Sequence, residues 1–300
     1  MADARQVIRL AAVGDLHVNA GSRGTLEPFF SRLSEVADVL ILCGDLTDYG
    51  RPEEARVLAR ELSGVRVPML GVLGNHDHES DKDEEIRRIL IDVGVSILDG
   101  TAREIRGVGF AGVKGFAGGF GRRALAPWGE RSLKQFVHEG MNEALKLESA
   151  MTKLWMPVKV AIMHYAPIQA TVVGEPAEIM PFLGSSRLED VVDRHRANVV
   201  FHGHAHRGTL EGRTRSGIPV YNVALPLLRA HHPDRPPYRV LELPVHAAPH
   251  APAPGTAHPE GPSPSTPVAP PPEPPRADAV PPVSGGHAPA PPEPPAWPHG

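Results

Sequence analysis

Short apolar runs separated by amphipathic stretches set the rhythm of the first two thirds of the chain. Val7–Val13, Val39–Cys43 and Met69–Leu73 are almost unbroken in hydrophobicity. Runs this short, each closed by Gly with Asp or Asn, predict strands buried on both faces. Between them Leu26–Val36 has helical spacing. Pro52 sits at the start of a helix running to about Leu62, where its missing N–H costs nothing. Asp81, Asp83, Glu84 and Glu85 open the next helix, where carboxylates suit the positive end of the helix dipole. Further strands are expected at 95–98, 102–106, 108–113, Val158–Met163, Val199–Phe201, Val220–Val223 and Tyr238–Leu243, and a helix at Ser186–His195. Strands alternating with helices predict βαβ units: an α/β fold with a largely parallel central sheet covered on both faces.

Two segments break the rhythm. Residues 114–156 begin Gly-rich (Gly115, Gly118, Gly119, Gly121), pass Arg122, Arg123 and Pro127-Trp128-Gly129, then read as a helix from about Arg131 to Leu154. This is an excursion between two halves of the sheet, and the expected place for a substrate-specificity insert or cap. The Gly run lacks the Lys-Ser/Thr of a P-loop and a strand–turn–helix setting, so it is not a phosphate cradle. From His246 onward the chain is Pro, Ala, Gly, Ser and His, holds most of the 34 prolines, and repeats Pro-Pro-Glu-Pro-Pro at 271–275 and 291–295. Such a segment buries too little apolar surface to offset the entropy of ordering it. It is expected to be a disordered, partly polyproline-II tail over 246–300, leaving one folded domain at 1–245. The tail's proline clusters could dock a groove on a partner, although a linker or solubilising role is the plainer reading.

Composition narrows the function. A net charge of −4 and a pI of about 6.5 provide no global basic field, which argues against a nucleic-acid partner. A small anionic substrate stays open, because bound metal ions would supply local positive charge. The single cysteine, Cys43, excludes an intramolecular disulfide and follows Leu40, Ile41 and Leu42 as a buried strand residue. No apolar run approaches the roughly 20 residues of a membrane span. No charged segment leading into an apolar core precedes the first strand, so a cytoplasmic location is expected.

The chemistry sits where the strands end. Gly14-Asp15-Leu16-His17, Gly44-Asp45-Leu46-Thr47-Asp48, Gly74-Asn75-His76-Asp77, His164 and Gly203-His204-Ala205-His206 each follow an apolar run. In α/β sheets ligands bind outside the carboxyl ends of the strands. Gly14, Gly44 and Gly74 would let the backbone turn sharply there. Together these side chains could hold two neighbouring cations. Asp45, from the middle of the sheet, is best placed to bridge them. Asp15 and His17 alternate on an extended segment and would face one ion, joined by His206. Asn75 offers an amide oxygen to the other, completed by His164 and His204. Mixed oxygen and nitrogen donors suit Mn²⁺, Fe²⁺/³⁺, Zn²⁺, Co²⁺ or Ni²⁺ and argue against Ca²⁺.

These five motifs, in this order, resemble the calcineurin-like metallophosphoesterase family, and the resemblance covers 7–225. It implies a four-layered α/β/β/α sandwich with two sheets and a dinuclear centre. One metal would take Asp15, His17, Asp45 and His206; the other, Asp45, Asn75, His164 and His204. It further implies hydrolysis of phosphodiesters or phosphomonoesters of a small phosphorylated substrate by in-line attack of a metal-bridging hydroxide. His76 would assist the leaving group, Asp48 would orient His76, and Asp77 would anchor the loop. Purple acid phosphatases carry a tyrosine where this chain has Asp48; Tyr49 lies one position later and is expected to point elsewhere. Two rivals are a non-catalytic metal-binding scaffold of the same fold and a nuclease of the family. Scaffolds tend to lose metal ligands or the third-motif histidine, and this chain retains both.

Other polar residues carry weaker signals. Arg122 and Arg123 could reach over the centre to bind substrate, or be a solvated loop pair. Trp128 and Trp155 could stack on a base, although core or cap packing is the plainer expectation. His202 is read as a packed or hydrogen-bonded strand residue, and His78, His138, His195, His231 and His232 as surface or loop residues.

Overall fold

The computed structural model describes residues 6–245. The Pro-rich segment 246–300, with its expected disorder and partner docking, lies outside them. In chain order the elements are β1 (Gln6–Val13), α1 (Glu27–Phe30), α2 (Leu33–Val36), β2 (Val39–Cys43), α3 (Pro52–Leu62), β3 (Met69–Val72), α4 (Asp83–Asp92), β4 (Val95–Ile97), β5 (Thr101–Ile105), β6 (Val108–Val113), α5 (Arg131–Thr152), β7 (Val158–Met163), α6 (Ser186–Arg194), β8 (Val199–His202), β9 (Glu211–Arg213), β10 (Pro219–Asn222), α7 (Leu225–His231) and β11 (Arg239–Val245). The apolar runs fold as the strands expected of them. The helical spacing at Leu26–Val36 is realised as two short helices, α1 and α2, separated at Ser31–Arg32.

Hydrophobic patterning alone predicts one central sheet; the structure has the two that the family resemblance implies. One is ordered β11-β1-β2-β3-β4, the other β5-β6-β7-β8-β10-β9. β1 to β4 are parallel, as are β6, β7, β8 and β10, while β11, β5 and β9 pair antiparallel at the edges. The chain changes sheets between β4 and β5. The Leu98 amide still donates to Gly71 O of the first sheet (2.7 Å), and the Gly100 amide donates to Gly112 O of the second (2.9 Å).

Strand alternation builds the layers. In the second sheet Val158, Val160, Ile162, Val199 and Phe201 join the core shared with the first sheet. Their neighbours Ala161, Met163 and Val200 pack instead with Leu147, Ala150 and Met151 of α5 and Leu188, Val191 and Val192 of α6. α3 and α4 bring Leu58, Leu62, Ile86 and Leu90 to the first sheet. The result is an α/β/β/α sandwich. The excursion expected at 114–156 therefore divides: α5 is part of the outer helical layer, and the irregular stretch ahead of it is not. Trp128 and Trp155 are 67% and 89% exposed, so the expectation that they pack into the core or a cap is corrected. Both lie in the connections flanking α5, outside its apolar face.

Two local devices hold the strand-end loops in place. Glu61, on the last turn of α3, is buried, and its carboxylate accepts the backbone N–H groups of Gly24, Leu26 and Glu27 at 2.5, 2.8 and 2.9 Å. Gly44 has φ +80°, and an added Cβ would lie 2.6 Å from the His164 ring.

Both devices give measurable expectations. Burial raises the Glu61 pKa, the three donors more than offset it, and the carboxyl sits below its ordinary 4.5. Its stabilising contribution is thus fully present above pH 4.5 and is lost as pH falls through the depressed folded value. Glu61→Gln should cost about 1–3 kcal/mol at pH 7 in urea denaturation, and the deficit should shrink in acid; a deficit independent of pH would contradict this. Gly44→Ala combines a left-handed backbone with a ring clash and should cost at least about 1 kcal/mol, lowering the melting temperature by roughly 2–4 °C per kcal/mol in calorimetry.

Candidate metal centre

β1, β2 and β3 are adjacent parallel strands of one sheet, and β7 and β8 of the other. Their carboxyl ends therefore open on the same edge of the sandwich. β1 delivers Asp15 and His17, β2 Asp45, β3 Asn75 and His76, β7 His164, and β8 His204 and His206. The two sheets are tied together at this edge: the Gly14 amide donates to Val223 O (2.9 Å) and His164 Nδ1 donates to Cys43 O (3.0 Å).

The donor atoms converge. Asp15, His17 and His206 place ligand atoms within 4.8 Å of one another, as do Asp45, His164 and His204, and His17, Asp45 and His76. Asp45 takes part in two of these groups. Asn75 Oδ1 is 2.9 Å from His164 Nε2, which is also 3.3 Å from Asp45 Oδ2. His206 Nε2 is 2.9 Å from Asp15 Oδ1. Asp15 and Asp45 are each 1% exposed. His17 Nε2 is buried with no hydrogen-bond partner, facing Asp45 Oδ2 at 3.9 Å. An orphaned ring nitrogen aimed at a buried carboxylate, inside a mixed oxygen and nitrogen donor set, fits divalent cations.

The backbone differs from expectation. Asp15 and His17 do not alternate along an extended segment: their φ values are +55° and +44°. Asp45 (+47°) and His204 (+70°) are also left-handed. Such conformations cost non-Gly residues on the order of 1–3 kcal/mol each and persist where the surroundings enforce them. Of the three motif glycines only Gly44 has positive φ. Gly14 and Gly74 serve close approach instead, because a Cβ on Gly74 would run into the Asp45 carboxylate. A Cβ on Gly203 would likewise meet the Asp15 carboxylate.

Hydrogen bonds choose the free nitrogen of each ring. His164 Nδ1 is committed to Cys43 O, leaving Nε2 for the centre. His76 Nδ1 donates to Asp48 O at 2.7 Å, leaving its Nε2 free. His204 Nε2 lies 3.2 Å from Phe182 O, leaving Nδ1. Asp48, expected to orient His76, meets it through its backbone carbonyl. The Asp48 carboxylate instead lies 3.5 Å from His17 Nδ1 and accepts from Asn19 Nδ2 at 3.3 Å. Asp77 is fully buried and accepts from the Leu46, Thr47 and Gly74 amides and the Thr47 hydroxyl, pinning the second loop to the third.

Electrostatics follow from this crowding. Burial opposes ionisation of Asp45, but His164 and the His76 amide outweigh it and hold the carboxyl below its usual range. Burial likewise opposes charge on His164, and Asp45 overrides it to raise the His164 pKa. The hydrogen bond to Asp15 raises His206, while burial lowers His17. Burial pushes His202 down to about 4, so its ring is neutral. His202 Nδ1 then donates to Gly203 O and Nε2 accepts from the Thr171 hydroxyl, both at 2.8 Å.

Arg122 is exposed and lines a separate cavity with Gln169, Glu189 and Arg215, away from every residue of the centre. The Arg123 side chain lies outside the described residues. Tyr49 is 49% exposed with Arg51 over its ring. Two neighbours of the centre had no motif. Tyr165 packs 4.3 Å from the His204 ring, and Lys114 follows β6 as a polar residue before Gly115. A polar residue at a strand end is the signal there, without the preceding glycine that marks most of the recognised motifs.

The described residues contain no helix long and apolar enough to cross a membrane. Comparison with known proteins agrees with the fold. The glycerophosphodiester phosphodiesterase GpdQ of Enterobacter lignolyticus is 33% identical over 81 residues, which is 27% of this chain and 29% of that protein. The crystal structure of phosphopantetheinyl hydrolase (PptH) from Mycobacterium tuberculosis superposes with a TM-score of 0.56 at 16% identity, covering 77% of this chain and 95% of that one. The family model for calcineurin-like phosphoesterases matches residues 8–208, and the chain belongs to that family.

Proposed function

We propose that the chain is a dinuclear metal-dependent phosphodiesterase acting on a small organic phosphodiester. The observation that carries this reading is Asp45, a buried carboxylate shared by two His/Asp groups at the meeting edge of both sheets. In this reading Asp15, His17, Asp45 and His206 hold one cation, and Asp45, Asn75, His164 and His204 hold the other. When bound, the cations supply charge neutralisation for the phosphoryl oxygens and an activated water at neutral pH.

The remaining work belongs to the chain. His76 lies beside His17, ring centroids 4.6 Å apart, and its Nδ1 is tied to Asp48 O. Its Nε2 can then hold a proton toward the leaving oxygen. Nδ1–H stays with the carbonyl, which fixes the ring plane, so the proton given to the leaving oxygen is the second one, on Nε2 of the imidazolium. Cys43 O and Phe182 O likewise each engage one nitrogen of His164 and His204, leaving the other, as a lone-pair donor, for a cation. Preference for diesters is supported by the similarity to a protein named as a glycerophosphodiester phosphodiesterase, over the stretch they share. Retention of Asp45, His76, His204 and His206 weighs against a non-catalytic scaffold, and the acidic balance of the chain weighs against a nuclease.

Metal-stripped protein should be inactive toward bis-p-nitrophenyl phosphate and regain activity with Mn²⁺, Zn²⁺, Co²⁺ or Ni²⁺, with weaker turnover of p-nitrophenyl phosphate. No activity with any metal, together with no bound metal by elemental analysis, would overturn the enzyme reading. His76→Ala should cut turnover by roughly 10²–10⁴ while leaving metal content intact. His76 also shares a donor group with His17 and Asp45, so loss of metal in that variant would make it a ligand instead.

A further inference from the structure

A cavity of about 350 Å³ opens beside the centre, with Asn75, Lys114, Phe116 and Tyr165 in its wall. Lys114 ties this wall to the centre, because its carbonyl accepts the His164 and Tyr165 amides at 3.0 and 3.1 Å. Its ammonium lies over the Phe116 and Tyr165 rings, 4.9 and 5.4 Å from their centroids. Those aromatic faces are thus already covered, which leaves the polar groups to do the recognition.

The other permanent cations of the wall are committed. Arg87 pairs with Asp99 at 3.3 Å, and Lys146 with Asp99 and Glu143 at 3.1 and 2.7 Å. Among the described residues Lys114 has no carboxylate within 4.0 Å. It donates once, to Gly115 O at 3.1 Å, which leaves two of its three ammonium hydrogens without an acceptor among the described residues. Glu84 and Glu139, also in the wall, are paired with no cation among the described residues. Five carboxylates (Asp83, Glu84, Asp99, Glu139 and Glu143) face the three Lys and Arg cations of the wall, an excess of two carboxylates over those cations.

Each feature selects a ligand chemistry. A hydroxyl both donates and accepts, and so matches an ammonium donor beside free carboxylate acceptors. A second phosphate or carboxylate on the substrate would enter against the net charge. An acyl chain would leave these ionic groups unpaired. His76, the proton donor to the leaving oxygen in the proposed function, is not among the residues of the wall.

We infer that this cavity receives the retained substituent of the phosphodiester, an uncharged hydroxyl-bearing alcohol group, and that Lys114 is the specificity-determining residue that positions it. The inference rests on the phosphodiesterase reading.

The test uses the full chain loaded with metal and three p-nitrophenyl phosphodiesters that share a leaving group and differ in the retained arm: 2,3-dihydroxypropyl, propyl and 2-carboxyethyl. The dihydroxypropyl ester should exceed the propyl ester in kcat/KM by on the order of tenfold, the scale of one hydrogen bond to a charged group. The carboxyethyl ester should fall below both. Lys114→Met should collapse the dihydroxypropyl-to-propyl ratio toward one. Glu139→Gln should raise the carboxyethyl ester relative to the propyl ester. Each ratio is read within one preparation, so partial misfolding of a variant cancels. Equal kcat/KM across the series, or a dihydroxypropyl advantage that survives Lys114→Met, overturns the inference while leaving the phosphodiesterase reading intact. Failure to turn over any of the three diesters overturns that reading and the inference with it.

Discussion

Three carboxylates, Asp15, Asp45 and Asp77, are buried at the edge where the two sheets meet, and each must be compensated. Asp77 is compensated by neutral donors: amides from two loops and the Thr47 hydroxyl. Asp15 and Asp45 receive some amide donors too, from His204 and His76, but also face the rings of His206, His17 and His164. Burying charge is tolerable only with such partners. The arrangement of both sheets answers that demand, because parallel strands end together and so bring their polar residues to one place.

Backbone groups finish what the strands begin. Carbonyls of Cys43, Asp48 and Phe182 each engage one nitrogen of a histidine and thereby decide which nitrogen faces inward. Asn222 contributes at one remove, donating to Ala205 O at 2.7 Å within the loop that carries His204 and His206. The left-handed backbone at Asp15, His17, Asp45 and His204 is the conformational cost of this packing. A cation drawn to these donors would offset part of it.

Selectivity and chemistry are built from different layers. The donors come from strand ends, whereas the cavity beside them is closed by α5, which supplies Glu139, Glu143 and Lys146. That helix also carries Leu147, Ala150 and Met151 into the core of the second sheet. A change on its polar face can therefore alter what the cavity accepts while its apolar face keeps the layer in place. The region at 114–156 that breaks the sequence rhythm is thus half scaffold and half cavity wall.

What was legible in the sequence was local. An apolar run followed by Gly-Asp, Gly-Asn or Gly-His, or directly by His as at His164, announces a buried strand and a polar residue at its end, and Val39–Cys43 and Val158–Met163 fold with those bounds. Val113-Lys114-Gly115 places its polar residue before the glycine rather than after it, and a single lysine has no partner motif to give it meaning. By itself the sequence determined the strands, their order and the types of donor at their ends, because these follow from short-range periodicity and turn chemistry. Periodicity left to the tertiary structure the division into the two sheets that the family resemblance implies, the meeting of the Asp48 carbonyl with His76, and the exposure of Trp128 and Trp155. Those outcomes depend on which distant residues meet, as Cys43 meets His164, and periodicity along one strand carries no record of the strand it will face.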